Sequence, residues 1–111
     1  MADTRFFTNK GPFTIKQIAE LTCSAVAVNE KLEKKLNDVS PLDKADSDKL
    51  TFFDNKKYIE GFKSTKAAAC FVREEFVKHA PEGLVCIVNK NPYKAYAIAA
   101  AAFYPETNDT D

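Results

Sequence analysis

After Gly11 the apolar positions recur three and four residues apart. They crowd into short runs through the middle of the chain and return to helical spacing near its end. In TIKQIAELT, Ile15, Ile18, Ala19 and Thr22 keep the helical period. Thr14 with Gln17 three residues later makes a capping box, so a short helix is predicted to about Leu21. SAVAV reads as a strand. NEKLEKKLND fits a helical turn through Leu32 and Leu36, and equally a solvated connection to a strand near Val39. Pro41 and KADSDK predict a turn, because Asp competes for backbone groups there. LTFF predicts a strand, with Asp54 or Asn55 capping a helix that carries Tyr58, Ile59 and Phe62 and that Gly61 keeps short. Ala67 to Val72 and Leu84 to Val88 are nearly continuous apolar runs, the mark of buried strands in a covered sheet. REEFVKHAPEG between them reads as a turn of helix and a loop. Last, Asn91 caps and Pro92 takes the first helical position. Tyr93, Tyr96, Ala97, Ala100 and Phe103 then line one predicted stripe up to Pro105. The order predicts a small α/β domain over residues 1–105, with the polar 106–111 as a tail or the beginning of a linker.

Composition narrows the picture. A chain of 111 residues fits one domain, and 45% hydrophobic residues with nine Phe and four Tyr supply a core. Sixteen basic and sixteen acidic residues cancel. No net field therefore draws the chain to nucleic acid or to an anionic membrane surface. No apolar stretch approaches the ~18 residues of a membrane span, and MADTRFF lacks the apolar core of a signal peptide. Cys23, Cys70 and Cys86 are odd in number and far apart, which predicts buried small hydrophobes in a reducing, cytoplasmic setting. With no Cys-x-x-Cys pair and His79 as the one histidine, no metal site and no cofactor site is expected.

Candidate chemistry concentrates in LTFFDNKKY, where Phe52, Asn55 and Tyr58 fall at intervals of three. One account is structural: an inward phenylalanine, a helix cap, and a tyrosine covering the sheet. The other is a pocket for a flat heterocycle. A primary amide carries an acceptor and two donors, matching the N–H and flanking carbonyl of uracil, and aromatic faces add stacking of roughly 1–3 kcal/mol per base. No Ser-His-Asp set, paired carboxylates or phosphate-binding glycine loop appears, so no catalytic residue is assigned to this chain. His79 is read as a loop residue.

Taken in order, GPFTIKQIAELT, VSPLDKA, LTFFDNKKY, TKAAACFV and NPYKAYAIAAAAFYP resemble, nearly end to end, the N-terminal domain of UDP-3-O-acylglucosamine N-acyltransferase of lipid A biosynthesis. The resemblance implies a mixed sheet covered by short helices, of the Mur-ligase N-terminal type. It implies that Phe52, Asn55 and Tyr58 bind the uracil of a UDP-sugar. For the parent enzyme it implies a cytoplasmic homotrimer of a Gram-negative bacterium. That enzyme moves a 3-hydroxyacyl chain from acyl carrier protein to the 2-amine of UDP-3-O-acylglucosamine. The family's catalytic histidine and trimer contacts belong to a left-handed β-helix of hexapeptide repeats, which these residues do not contain, so the chain alone is expected to be inactive. Two departures stand out. Asp46, Ser47 and Asp48 replace the usual glycine turn, where Asp tolerates left-handed backbone, and Lys56 replaces a frequent proline. Two alternatives remain at this point: the uridine-binding module of a Mur ligase, and a free-standing binding protein without catalysis.

Overall fold

Two capping devices set where the first helix begins and ends. The computed structural model describes residues 9–26 and 31–105. Strand β1 (Phe13–Thr14) leads into helix α1 (Ile15–Leu21). There the Thr14 side chain accepts from the Gln17 amide at 3.1 Å, and the Gln17 side chain accepts from the Thr14 amide at 2.8 Å. At its other end α1 closes in a Schellman turn: Ser24 N–H donates to the Ala19 carbonyl and Cys23 N–H to that of Glu20. Cys23 takes the left-handed position, φ 55°, where glycine is usual, and it is exposed. The expectation of three buried cysteines therefore holds only for Cys70 and Cys86.

Strands β2 (Ala25–Val26), β3 (Lys35–Leu36), β4 (Asp38–Val39), β5 (Lys49–Phe52), β6 (Ala69–Val72) and β7 (Val85–Val88) follow. β1 and β3 pair antiparallel in a small ladder. The main sheet is mixed, in the order β2-β7-β6-β5-β4, with β4 to β7 parallel and β2 antiparallel at one edge. The ambiguous 29–38 stretch thus yields strands near its end, while its first residues lie outside the described ones. The turn before β5 closes with Lys49 N–H donating to the Asp46 carbonyl. Among the described residues positive φ occurs only at Cys23 and Gly83, so this turn needs no left-handed residue and no glycine. Lys49 Nζ lies 2.6 Å from Asp48 and 3.4 Å from Asp46. The Lys49 and Asn37 side chains hold the Asp48 carboxyl down at about 2.

Period-two alternation sorts the strands between two layers. Leu50, Ala69, Phe71, Val85 and Ile87 face α1 and α3 (Pro92–Phe103). Phe53, Cys70, Val72 and Cys86 face α2 (Ile59–Ser64) and the 3₁₀ helix Glu74–His79. Burial among apolar side chains raises the Cys86 thiol to about 11 and that of Cys70 well above its ordinary value, so both stay neutral packing groups. His79 ends the 3₁₀ helix, half-buried with its ring 6.4 Å from Phe76, rather than lying in a loop.

Helix α3 corrects a second expectation. Its buried residues are Pro92, Ala95, Ala99 and Phe103, while Tyr93 is 62% exposed and Ala97 lies in solvent. The alanine-rich sequence satisfies two helical stripes a residue or two apart. Phe103 and Pro92 decide between them by where they dock: the Phe103 ring meets Phe13 edge-on at 4.9 Å. A Cβ on Gly11 would fall 2.6 Å from the Phe103 ring, so glycine is required at that crossing. At the same end Tyr104 donates to both Asp38 carboxylate oxygens, at 2.8 and 2.9 Å. No helix among the described residues is long and apolar enough to cross a membrane.

Candidate functional site

The carboxyl ends of β5, β6 and β7 form the edge opposite the Tyr104–Asp38 contact. Crevices outside the carboxyl ends of parallel strands are where open α/β sheets take ligands. β5 delivers two phenylalanines there and alternation parts them. Phe53 is 2% exposed, stacked on Phe62 at 4.6 Å, and belongs to the core. Phe52 turns to the other face, half-buried, its ring 4.7 Å from Tyr96 and 5.6 Å from Tyr93, tilted to both.

The chain then breaks from the sheet. Asn55, in extended backbone, caps the 3₁₀ helix Lys56–Tyr58 by accepting from the Lys57 amide at 3.0 Å. That bond occupies one lone pair of Oδ1 and leaves the other. The Asn55 NH₂ faces no acceptor among the described residues, and the side chain is exposed. A backbone donor fixes which way the amide points, since a flipped amide would set donor against donor. Tyr58 is 55% exposed, with the Lys57 ammonium 5.6 Å from its ring centroid. It does not cover the sheet.

The three sequence-predicted residues thus share one edge, but no hydrogen bond or ring contact joins their side chains among the described ones. Phe52 keeps company with Tyr93 and Tyr96 rather than with Tyr58. Asn55 instead lines a groove of about 430 Å³ with Asp54, Lys56, Arg73, Glu75 and Phe76. Arg73 lies 2.9 Å from Asp54 Oδ1, a contact of opposite charges without hydrogen-bond alignment. This ion pair went unread in the sequence, because only the β5–β6 register brings residues 54 and 73 together. A wider crevice of about 1020 Å³ adjoins across Arg73 and Glu75, bounded by Asn91 at the start of α3 and carrying Lys90 and Lys94. The edge therefore carries both signs of charge, Lys56, Arg73, Lys90 and Lys94 against Asp54, Glu74 and Glu75. Among the described residues no three His, Cys, Asp or Glu side chains gather as a metal ion would require. The edge offers aromatic faces, one oriented amide and charged side chains of both signs.

Comparison with known proteins bears on this arrangement. The family model for UDP-3-O-(3-hydroxymyristoyl) glucosamine N-acyltransferase, LpxD, matches residues 33–102, which include Phe52, Asn55 and Tyr58. The chain is 41% identical over 106 residues to UDP-3-O-acylglucosamine N-acyltransferase of Parvibaculum lavamentivorans, covering 96% of this chain and 30% of that protein. Against UDP-3-O-acylglucosamine N-acyltransferase 2 of Legionella pneumophila (strain Lens) identity is 34% over 105 residues, 95% of this chain and 31% of the other. The enzyme of Methylobacterium nodulans gives 33% over 105 residues, with 95% and 30% covered. The chain spans about 30% of the length of these curated relatives.

Proposed function

The chain belongs to the LpxD family of UDP-3-O-acylglucosamine N-acyltransferases, and from that premise we propose that it is the uridine-holding module of such an enzyme. In this reading Phe52 and Tyr58 supply aromatic faces to uracil, and Asn55 reads its edge. The whole enzyme transfers a 3-hydroxyacyl group from acyl carrier protein to the 2-amine of UDP-3-O-acylglucosamine. Residues 1–105 grip the nucleotide, and 106–111 lead toward a β-helical catalytic part. That part carries the general base and the trimer contacts, in the cytoplasm of a Gram-negative bacterium. The module itself is of Mur-ligase N-terminal type. Holding the uridine end uses binding energy far from the reacting amine to position that amine for attack.

The observation that carries the reading is the state of Asn55. Its amide is oriented by the Lys57 backbone, exposed, and among the described residues left with a free NH₂ and a free lone pair at the sheet's carboxyl edge. A donor and an acceptor held side by side match uracil, whose ring N–H lies beside a carbonyl. Cytosine reverses the pattern, and the cap resists the flip that would accommodate it. UDP should therefore bind more tightly than CDP. Asn55→Ala should lose affinity and most of that preference, whereas Phe52→Ala should lose affinity and keep the preference, since stacking is blind to the base edge. Calorimetry of both nucleotides with the three proteins checks this. A preference unchanged in Asn55→Ala would reduce Asn55 to a helix cap. The 111 residues alone should show no acyl transfer from acyl carrier protein, and turnover by them would overturn the division of labour.

A further inference from the structure

Among the described residues only two aromatic side chains lie largely in solvent, Tyr58 and Tyr93. Tyr58 belongs to the site already argued. Tyr93 does not, and helical spacing alone would have placed it in the core. Its exposure follows from how α3 starts. The Asn91 side chain accepts from the Lys94 amide, Pro92 fixes the first turn, and Pro92, Ala95 and Ala99 turn toward the sheet. Position 93 is then carried outward at the end of the helix that overhangs β5. There its ring meets Phe52 at 5.6 Å, inclined at 59°. The phenol has no hydrogen-bond partner among the described residues.

We propose that Tyr93 is a nucleotide-binding residue, a further aromatic wall of the pyrimidine nucleoside site, standing at an angle to Phe52. The proposal rests on the uridine reading of that site. Two rings inclined at 59° make a corner rather than a slot. A base lying on the open part of Phe52 would have the base or its ribose within reach of the Tyr93 ring. A large amphipathic ring with few rotatable bonds gains contact there at little entropic cost. Tyr96, one turn later, backs Phe52 at 4.7 Å and is half-buried. It holds the platform, while Tyr93 extends it.

The test is titration of the 111-residue chain and its variants with UDP and with uridine, following amide NMR shifts, which read weak binding. Tyr93→Ala should raise the dissociation constant about 5- to 20-fold for both ligands, in keeping with one lost stacking contact. Tyr93→Phe should stay within about twofold of the parent, and neither change should shift the melting temperature. Phe52→Ala, run alongside, separates the two readings. If Phe52→Ala weakens UDP binding and Tyr93→Ala does not, Tyr93 is no part of the site and the uridine reading stands. If the unaltered chain binds neither ligand, both readings fall. If Tyr93→Ala lowers the melting temperature and Tyr93→Leu restores both stability and affinity, Tyr93 merely covers Phe52, and the proposal is overturned.

Discussion

At the scale of single residues, the chain spends stability in one place that sequence reading missed. Cys23 sits at φ 55° in the Schellman turn after α1, a position that favours glycine because a Cβ crowds the following carbonyl. Cys23→Gly should therefore stabilise the fold, by about 0.5–1 kcal/mol after the entropy glycine gains in the unfolded chain is set against the relieved strain. A thermal melt decides it: a higher melting temperature is expected, and a lower one would show that the cysteine side chain contributes more than its backbone costs. The Thr14–Gln17 capping box and the Asn91–Pro92 start were legible because each device lies within four residues of chain. Cys23 was not, since no residue type advertises a glycine position filled by something else. Asn55 as a cap was legible, but its orientation was not, because that needed the 3₁₀ turn to put the Lys57 amide beside it.

Among elements, the apolar runs at 67–72 and 84–88 read directly as buried strands, and buried strands form there at Ala69–Val72 and Val85–Val88. Strand order did not follow from them. Nothing local says that β2 joins antiparallel beside β7 or that β4 closes the other edge, as those choices depend on contacts distant in sequence. Helix α3 shows why periodicity alone misleads: alanine serves equally well facing the core or solvent, so of the stripe Tyr93, Tyr96, Ala97, Ala100 and Phe103 only Phe103 is fully buried, beside Pro92, Ala95 and Ala99. The β5 end offers a direct check on which residues pack. Phe53→Ala and Ile87→Ala, each removing a buried side chain, should cost about 2–5 kcal/mol. Tyr58→Ala, at 55% exposure, should stay within about 0.5 kcal/mol. Urea unfolding of the three variants compares them, and a Tyr58→Ala loss matching Phe53→Ala would return Tyr58 to the core.

For the whole molecule, the sheet has one closed end and one open end. The closed end is tied by Tyr104 to Asp38 and by the tight Gly11–Phe103 crossing. The open end carries Phe52, Asn55, Tyr58 and Tyr93, with charges of both signs around Arg73. The proposed function puts uridine at this open edge. An amide-shift map of the chain titrated with UDP tests it most directly. Saturable shifts concentrated at residues 52–58 and at the first turn of α3 are expected, with the Tyr104–Asp38 end silent. Shifts that are absent, or that gather at the closed end, would contradict it.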